Sequence, residues 1–275
     1  MTSKLVPDVV ATYVLLHAAC LLAFVTGISW FDVELLATAY AIRMLGVGIV
    51  YHRYFSHRAF KTSRVLQAVF ALWGVLSLQK GPLWWAATHR HHHRHADTPR
   101  DLHSPSLQGA FYAHFVWFQL RDNNAVVPPA DLWRFRELRV IDDWRFYFAF
   151  NLASWAALGW AFGLAGVVYG AVLPTVLCLQ MSHLIQSVSH AAGGYRRFAS
   201  RDHSRNHVWI GVLSLGEWHN NHHFAMSSAR QGVAWWELDV QWLVLRALAA
   251  LGLVWDLRLP AHHAPDAVAV GVTDR

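Results

Sequence analysis

Four stretches of this chain are apolar over nearly their whole length: Leu5 to Ile28, Val33 to Tyr51, Phe146 to Phe162 and Leu164 to Met181. Asp8, Thr12 and His17 interrupt the first and Arg43 the second, whereas the last two carry no charge and are separated only by Gly163. A bilayer crossing needs about 20 apolar residues. The pattern therefore predicts four membrane helices, over about 8–28, 33–51, 146–162 and 164–183, the last two joined as a tight hairpin. Two further apolar stretches are too short or too mixed to cross. Val65 to Leu78 ends at Lys80-Gly81-Pro82, and Trp235 to Trp255 mixes Trp, Leu and Val with Glu237, Asp239 and Arg246. Such stretches suit helices lying in the membrane interface. The polar remainder, 52–145 and 187–260, is expected to form a helical cap, with 261–275 as a frayed tail. The fold class expected is an all-α membrane protein in a single domain, 1–275.

Composition supports the membrane reading. The chain is 55% hydrophobic and 15% charged, against about 25% charged for soluble domains. Its 15 Trp suit rings at headgroup depth. The first apolar run is too long, and its flanks too poor in basic residues, for a cleaved signal peptide. The loop at 27–34 has no Lys or Arg but carries Asp32 and Glu34, and the turn at Gly163 has none either. By the positive-inside rule both face outward, placing the N-terminus and the cap on the cytoplasmic side, in a bacterial inner membrane. Anionic headgroups then account for the +6 charge and the pI of 9.6, without nucleic acid as a partner. Cys20 and Cys178 both fall inside predicted spans and read as packing residues rather than a disulfide or a thiolate site. The Pro/Asn-rich break at Asp122 to Pro129 reads as a turn.

The histidines change the picture. They fall as His52-x4-His57, His89-x2-His92-His93, a lone His190, and His219-x2-His222-His223. Neutral imidazole is the commonest metal ligand, and positions i, i+3 and i+4 share a helix face. Each triplet is thus expected to aim three ring nitrogens at one spot. Two triplets, a pair and a single residue supply too many donors for one ion and suit two ions of four or five ligands each. All of them lie beyond the span ends, whereas a transporter would place its ligands along a path within the spans.

The motifs around them are His52-Arg-Tyr-Phe-Ser-His57, His89-Arg-His-His-His93 within Trp85 to Pro105, and Leu215-Gly-Glu-Trp-His219-Asn-Asn-His222-His223. With Gln79 to Trp85, Gly194 to Phe198 and Ser228 to Gly232, the chain resembles, over roughly residues 40–260, the integral-membrane fatty acyl desaturases of the stearoyl-CoA desaturase type. Their boxes read H-x4-H, H-R-x-H-H and H-N-x-H-H. The resemblance implies four membrane helices under a cytoplasmic cap that holds two irons, and an acyl tunnel closed at its far end. It implies His52, His57, His89, His92, His93, His190, His219, His222 and His223 as ligands to the irons; imidazole sites also take zinc readily, so zinc is expected to replace iron on overexpression. The reaction implied is O2-dependent insertion of a cis double bond near the Δ9 position of a long-chain acyl substrate, carried by CoA or lipid. A hydroxylase or decarboxylase on the same scaffold is the alternative.

Two departures from the family pattern stand out. Gln186 replaces the Asn expected four residues before His190, and a Gly is missing between Glu217 and Trp218. The helix carrying the third box is expected to start at a changed angle with its ligands kept. Asp97, Asp101, Asp202 and Glu217 are candidates to accept the other ring N–H of the ligating histidines, and Gln186 to sit beside one ion. His91 and His95 point away from the triplet face. His103, His114, His203 and His207 read as hydrogen-bonded cap residues, and His17 as a packed polar residue. His183 shares a face with Gln186 and His190. Tyr40 and Leu36, about 18 and 24 Å from His52 at 1.5 Å per residue, are expected to line the tunnel at the methyl end. The chain carries no heme or flavin fingerprint and no His-Pro-Gly-Gly of a fused cytochrome b5. Electrons are expected from a separate donor, a ferredoxin or a cytochrome b5 with its reductase.

Overall fold

The computed structural model describes residues 3–259. The 261–275 tail, with His262 and His263, lies outside the described residues. Three helices are long and apolar enough to cross a membrane: α1 (Pro7–Thr26), α2 (Trp30–Ser56) and a 45-residue helix, Trp144–Val188. Helix α1 starts with Pro7 at its first position, where the missing N–H costs nothing. It stops at Gly27, whose φ of 66° suits only a residue without Cβ. Helix α2 starts on a capping box: Ser29 Oγ accepts from Asp32 N–H, and Asp32 Oδ2 accepts from Ser29 N–H at 2.8 Å.

A 45-residue helix would be about 68 Å long, more than twice a bilayer core of about 30 Å. Trp144–Val188 does not run straight. Gly163 takes φ 66° and ψ −158°, and the two halves lie side by side, so close that a Cβ on Gly166 would meet the Leu158 carbonyl at 2.4 Å. The hairpin expected at Gly163 is there. Phe24, Val25 and Trp160 stay more than 70% exposed, an outer surface suited to lipid. The buried Arg43 of α2 donates to Thr175 Oγ1 at 3.0 Å and to the Ala39 carbonyl, tying α2 to the second half of the hairpin. Cys20 and Cys178 are both free.

Between the spans lie α3 (Arg64–Val75), α4 (Pro82–His95) and α5 (Arg136–Asp142); the hairpin helix is α6 (Trp144–Val188). After it come α7 (Val208–Leu213), α8 (His219–Phe224) and α9 (Val240–Ala250). A two-stranded antiparallel ribbon, β1 (Lys61–Thr62) with β2 (Val254–Trp255), joins the two cap segments. The cap core gathers around the end of α2. Ile49, Val50 and Phe55 pack with Phe70 and Val75 of α3, Leu83 and Ala86 of α4, Leu138 and Ile141 of α5, and Leu245 of α9. Each fully buried side chain of this kind is worth roughly 1.5–3 kcal/mol. This core seats the polar cluster described next.

Candidate metal centre

The first histidine pair depends on an unusual backbone. Residues Gly46–Ser56, the last part of α2, form a π-helix, and every one of them is buried. On an α-helix, positions five apart point about 140° away from each other. The π-helix bonds i to i+5, and here His57 N–H donates to the His52 carbonyl at 3.2 Å. The spacing that an α-helix would scatter is thereby brought to one side. Arg90, next to His89, donates to the Phe55 and Ser56 carbonyls at 2.6 and 2.8 Å, satisfying acceptors left at the helix end.

The third box sits on a helix of only six residues, far too short to be stable alone. Its neighbours hold it. Asn220 Oδ1 accepts from the N–H groups of Arg197 and Phe198, and its own N–H donates to Asn206 Oδ1, all at 2.8 Å. Asn221 Nδ2 donates to the Gln231 carbonyl and to Glu237. Gly216 precedes the box at φ 128°, and Arg53 Nη2 donates to its carbonyl and to Asp239 Oδ1. The shortened approach bends here and the box histidines still converge.

They converge on two points. His52, His57, His89, His93 and His222 form one group; His92, His190, His219 and His223 form the other, with ligand atoms in each within 4.8 Å of one another. One expectation needs correction: neither triplet aims at a single spot. His89 and His93 join the first group while His92 joins the second; His219 and His223 join the second while His222 joins the first. On an α-helix i+4 lies about 40° to one side of i and i+3 about 60° to the other. With two convergence points side by side, the i, i+4 pair takes one and the i+3 ring the other.

In the first group, neighbouring Nε2 atoms (His52–His222, His57–His89, His89–His93 and His93–His222) are 2.8–2.9 Å apart. A metal–imidazole bond of about 2.0–2.1 Å puts two ligands at right angles about 2.8–3.0 Å apart. In the second group His190 Nε2 and His219 Nε2 are also 2.8 Å apart. Their Nδ1 atoms face Asp97 at 2.8 Å and Glu217 at 3.2 Å, so both carry their proton there. Two lone pairs then face each other, an arrangement that repels unless a cation lies between them. The donor set therefore fits metal ions.

Carboxylates back the rings. Asp97 takes His190, Asp101 takes His92 at 3.0 Å, Asp202 takes His223 at 2.8 Å, and Glu217 takes His219. The other oxygen of Glu217 lies 3.2 Å from His52 Nδ1. Burial opposes ionisation of Asp97, Asp101, Asp202 and Glu217. The facing histidines outweigh it and hold all four carboxyls below the ordinary range. Desolvation and the crowding of neighbouring imidazoles push His57, His89, His93, His222 and His223 well below the usual histidine value, which keeps them neutral and free to donate to a metal.

Two cavities flank the histidines. The larger, about 460 Å³, runs between α1, α4 and α6, with Tyr13, Leu16, Trp84, Trp117, Phe118 and His89 among its walls. The smaller, about 50 Å³, is bounded by Met44, Val47, His52, His92 and His219. Trp85, His89, His103 and Gln186 border both. Gln186 Oε1 accepts from Trp117 Nε1 at 3.0 Å. Tyr40 and Leu36 line neither of these cavities. Tyr40 donates to the Leu213 carbonyl at 2.8 Å and packs beside Met44, Val47, Cys178 and Met181.

His91 turns aside to the Arg100 carbonyl, and the tilted His95 ring lies 4.7 Å from it, outside both groups. His114 bonds Ser187 and Gln180, and His17 accepts from Gln180. His103, expected from the sequence to be a hydrogen-bonded cap residue, lies beside the second group instead. It is buried, lies 4.4 Å from the His92 ring in a stacked geometry, and its Nδ1 has no protein partner.

Comparison with known proteins adds the following. The fatty acid desaturase family matches residues 11–257. The Delta-9 acyl-lipid desaturase 1 of Arabidopsis thaliana is 35% identical over 256 residues, 90% of this chain and 81% of that protein. The acyl-CoA C20 Delta5-desaturase of Anemone leveillei is 36% identical over 254 residues, 90% of this chain and 80% of its own. A hex-5-enoyl-(acyl-carrier protein) acetylenase of Moorena producens is 32% identical over 260 residues, 85% of this chain and 78% of its own.

Proposed function

As the chain belongs to the fatty acid desaturase family, an oxidoreductase family, we propose that it inserts a cis double bond near the Δ9 position of a long-chain acyl group carried by CoA or lipid. The observation that carries this reading is the convergence of nine histidines into two groups with lone pairs facing at 2.8 Å. Two irons held there would supply O2 activation, with electrons from a separate ferredoxin or cytochrome b5 and its reductase. The chain's own residues do the rest. Neutral imidazoles donate through Nε2, and Asp97, Asp101, Asp202 and Glu217 hold Nδ1–H groups and fix the ring planes. The apolar, aromatic walls of the larger cavity exclude water and suit a hydrocarbon chain. Trp85 and His89, shared by both cavities, would fix which carbons pass the metal groups. Met44 and Val47 border the smaller cavity about one and two turns from Tyr40. This supports a methyl end lying along α2 on the side of Tyr40 and Leu36, beyond the two cavities.

In this reading the two halves of α6 each cross the bilayer, giving four crossings in a bacterial inner membrane with the cap on the cytoplasmic face. Whole-cell lipid profiling by mass spectrometry, with and without the gene, tests the function. The expected product lacks two hydrogens relative to its substrate. A product that has gained an oxygen would make the chain a hydroxylase instead.

A further inference from the structure

The two histidine groups are built differently, and the difference is systematic. In the second group every ring has a carboxylate on its Nδ1: His92 has Asp101, His190 has Asp97, His219 has Glu217 and His223 has Asp202. All four of these histidines are buried. In the first group, among the described residues, only His52 has a carboxylate within reach, and it is Glu217 again, at 3.2 Å. The Nδ1 atoms of His93 and His222 are buried with no protein partner. Three of the five, His57, His89 and His93, are less fully buried than the four histidines of the second group.

We propose that the two ion sites are unequal and linked. The four-histidine site binds its ion first and more tightly, and Glu217, one oxygen toward each group, passes the state of one site to the other. The inference rests on the two-ion reading given above. A carboxylate on Nδ1–H orients the ring, raises the basicity of Nε2 and adds negative charge near the cation. Losing one such partner costs about 10–100-fold in affinity. The first group has one more donor than the second. A fifth donor adds one bond, whereas the second group has the orienting partner four times over, so the carboxylates decide the order. Glu217 can serve His52 and His219 together only while it is a carboxylate with two accepting oxygens. A glutamine there has one accepting oxygen, and its NH2 would face one of the two ring N–H groups.

The test uses purified full-length protein stripped by a chelator and titrated with Co(II), read by calorimetry and by elemental analysis. The wild type is expected to take two ions in two steps at least about 10-fold apart in affinity. Asp202→Asn, or Asp101→Asn should the first not fold, is expected to weaken the tight step by about 10–100-fold and leave the loose one in place. His57→Ala should remove the loose step and spare the tight one. Glu217→Gln should weaken both. A single step of equal affinities, a tight step lost in His57→Ala, or a Glu217→Gln protein with only one altered step would overturn the proposal. Saturation at fewer than two ions in well-folded wild type would instead sink the two-ion reading beneath it.

Discussion

The second and third histidine boxes have the same spacing and opposite loyalties. On α4, a 14-residue helix with its own apolar face against the core, the i and i+4 rings go to the five-histidine group and the i+3 ring to the other. On α8, six residues long and pinned by Asn220 and Asn221, the same i and i+4 positions go to the four-histidine group. Each helix therefore reaches into both groups, and each group draws on both helices. One ion would hold the two boxes together even with the other site empty. Spacing states which histidines can come together. The placement of the helices decides which group each one joins.

The largest effects should come from the two i+3 rings, because they sort in opposite directions. His92→Ala and His222→Ala are each expected to cut turnover by more than about 100-fold, beyond the loss of an outer partner. His92→Ala should lose the ion of the four-histidine group and His222→Ala that of the five-histidine group. Elemental analysis of each variant should give one ion per chain, and the double variant none. If both variants lost the same ion, as judged by the Co(II) spectrum of the one remaining, the exchange between boxes would be wrong.

This shows where the sequence was legible. The convergence of the nine histidines could be read because helical spacing restricts which side chains share a face and few other residue types recur in such a pattern. Asp97, Asp101, Asp202 and Glu217 could be read because a ligating ring needs an acceptor on its other nitrogen and these acids stand near the boxes. The apolar runs marked the spans, and Gly163 marked the hairpin, since few other residues take φ 66° without strain. The division into two groups was not legible. It depends on two helices meeting across 127 to 133 residues of chain, and nothing local records their crossing. The same holds for Glu217, whose second partner, His52, is 165 residues away. The π-helix at Gly46–Ser56 was missed for another reason. Its composition is that of an ordinary apolar helix, so the span was read as stopping at Tyr51, and only the spacing of five between His52 and His57 hinted otherwise.

Next in size is the tie that sets the third box against the first. Arg53 lies inside the first box, is buried, and donates to Asp239, the Gly216 carbonyl and the Ala229 carbonyl. Arg53→Leu removes the charge and leaves Asp239 buried and unpaired, a loss of about 3–5 kcal/mol. Chemical unfolding of the detergent-solubilised protein should show it as a lower midpoint. A midpoint within error of wild type would mean that α8 is held by its asparagines alone.

A smaller effect should follow pH in the metal-free protein. His57, His89, His93, His222 and His223 all have values lowered by desolvation and by one another. Above an unfolded value of about 6.5 both states are neutral and contribute no slope. As pH falls below it, the unfolded chain takes up protons that the folded chain refuses, so stability declines with acid. The four lowered carboxyls add their own loss only below about 4. Thermal midpoints measured from pH 8 to 5 should therefore be flat and then fall. A midpoint that rose on acidification would show the rings to be stabilised in their charged form.

The smallest effect tests the bystanders on α4. His91 and His95 lie between and just past the ligands, so a spacing argument alone could enlist them. In the structure His91 Nε2 meets the Arg100 carbonyl at 2.8 Å, and the His91 and His95 rings lie 4.7 Å apart, tilted at 53°, outside both groups. His91→Ala gives up one partly exposed hydrogen bond, worth about 0.5–1.5 kcal/mol, and no ligand. It should keep two ions per chain and turnover within about twofold of wild type, since about 0.4 kcal/mol is a factor of two in rate. A lost ion in His91→Ala would mean that the helix rotates when metal binds. The allocation of His89, His92 and His93 between the two groups would then have to be redrawn.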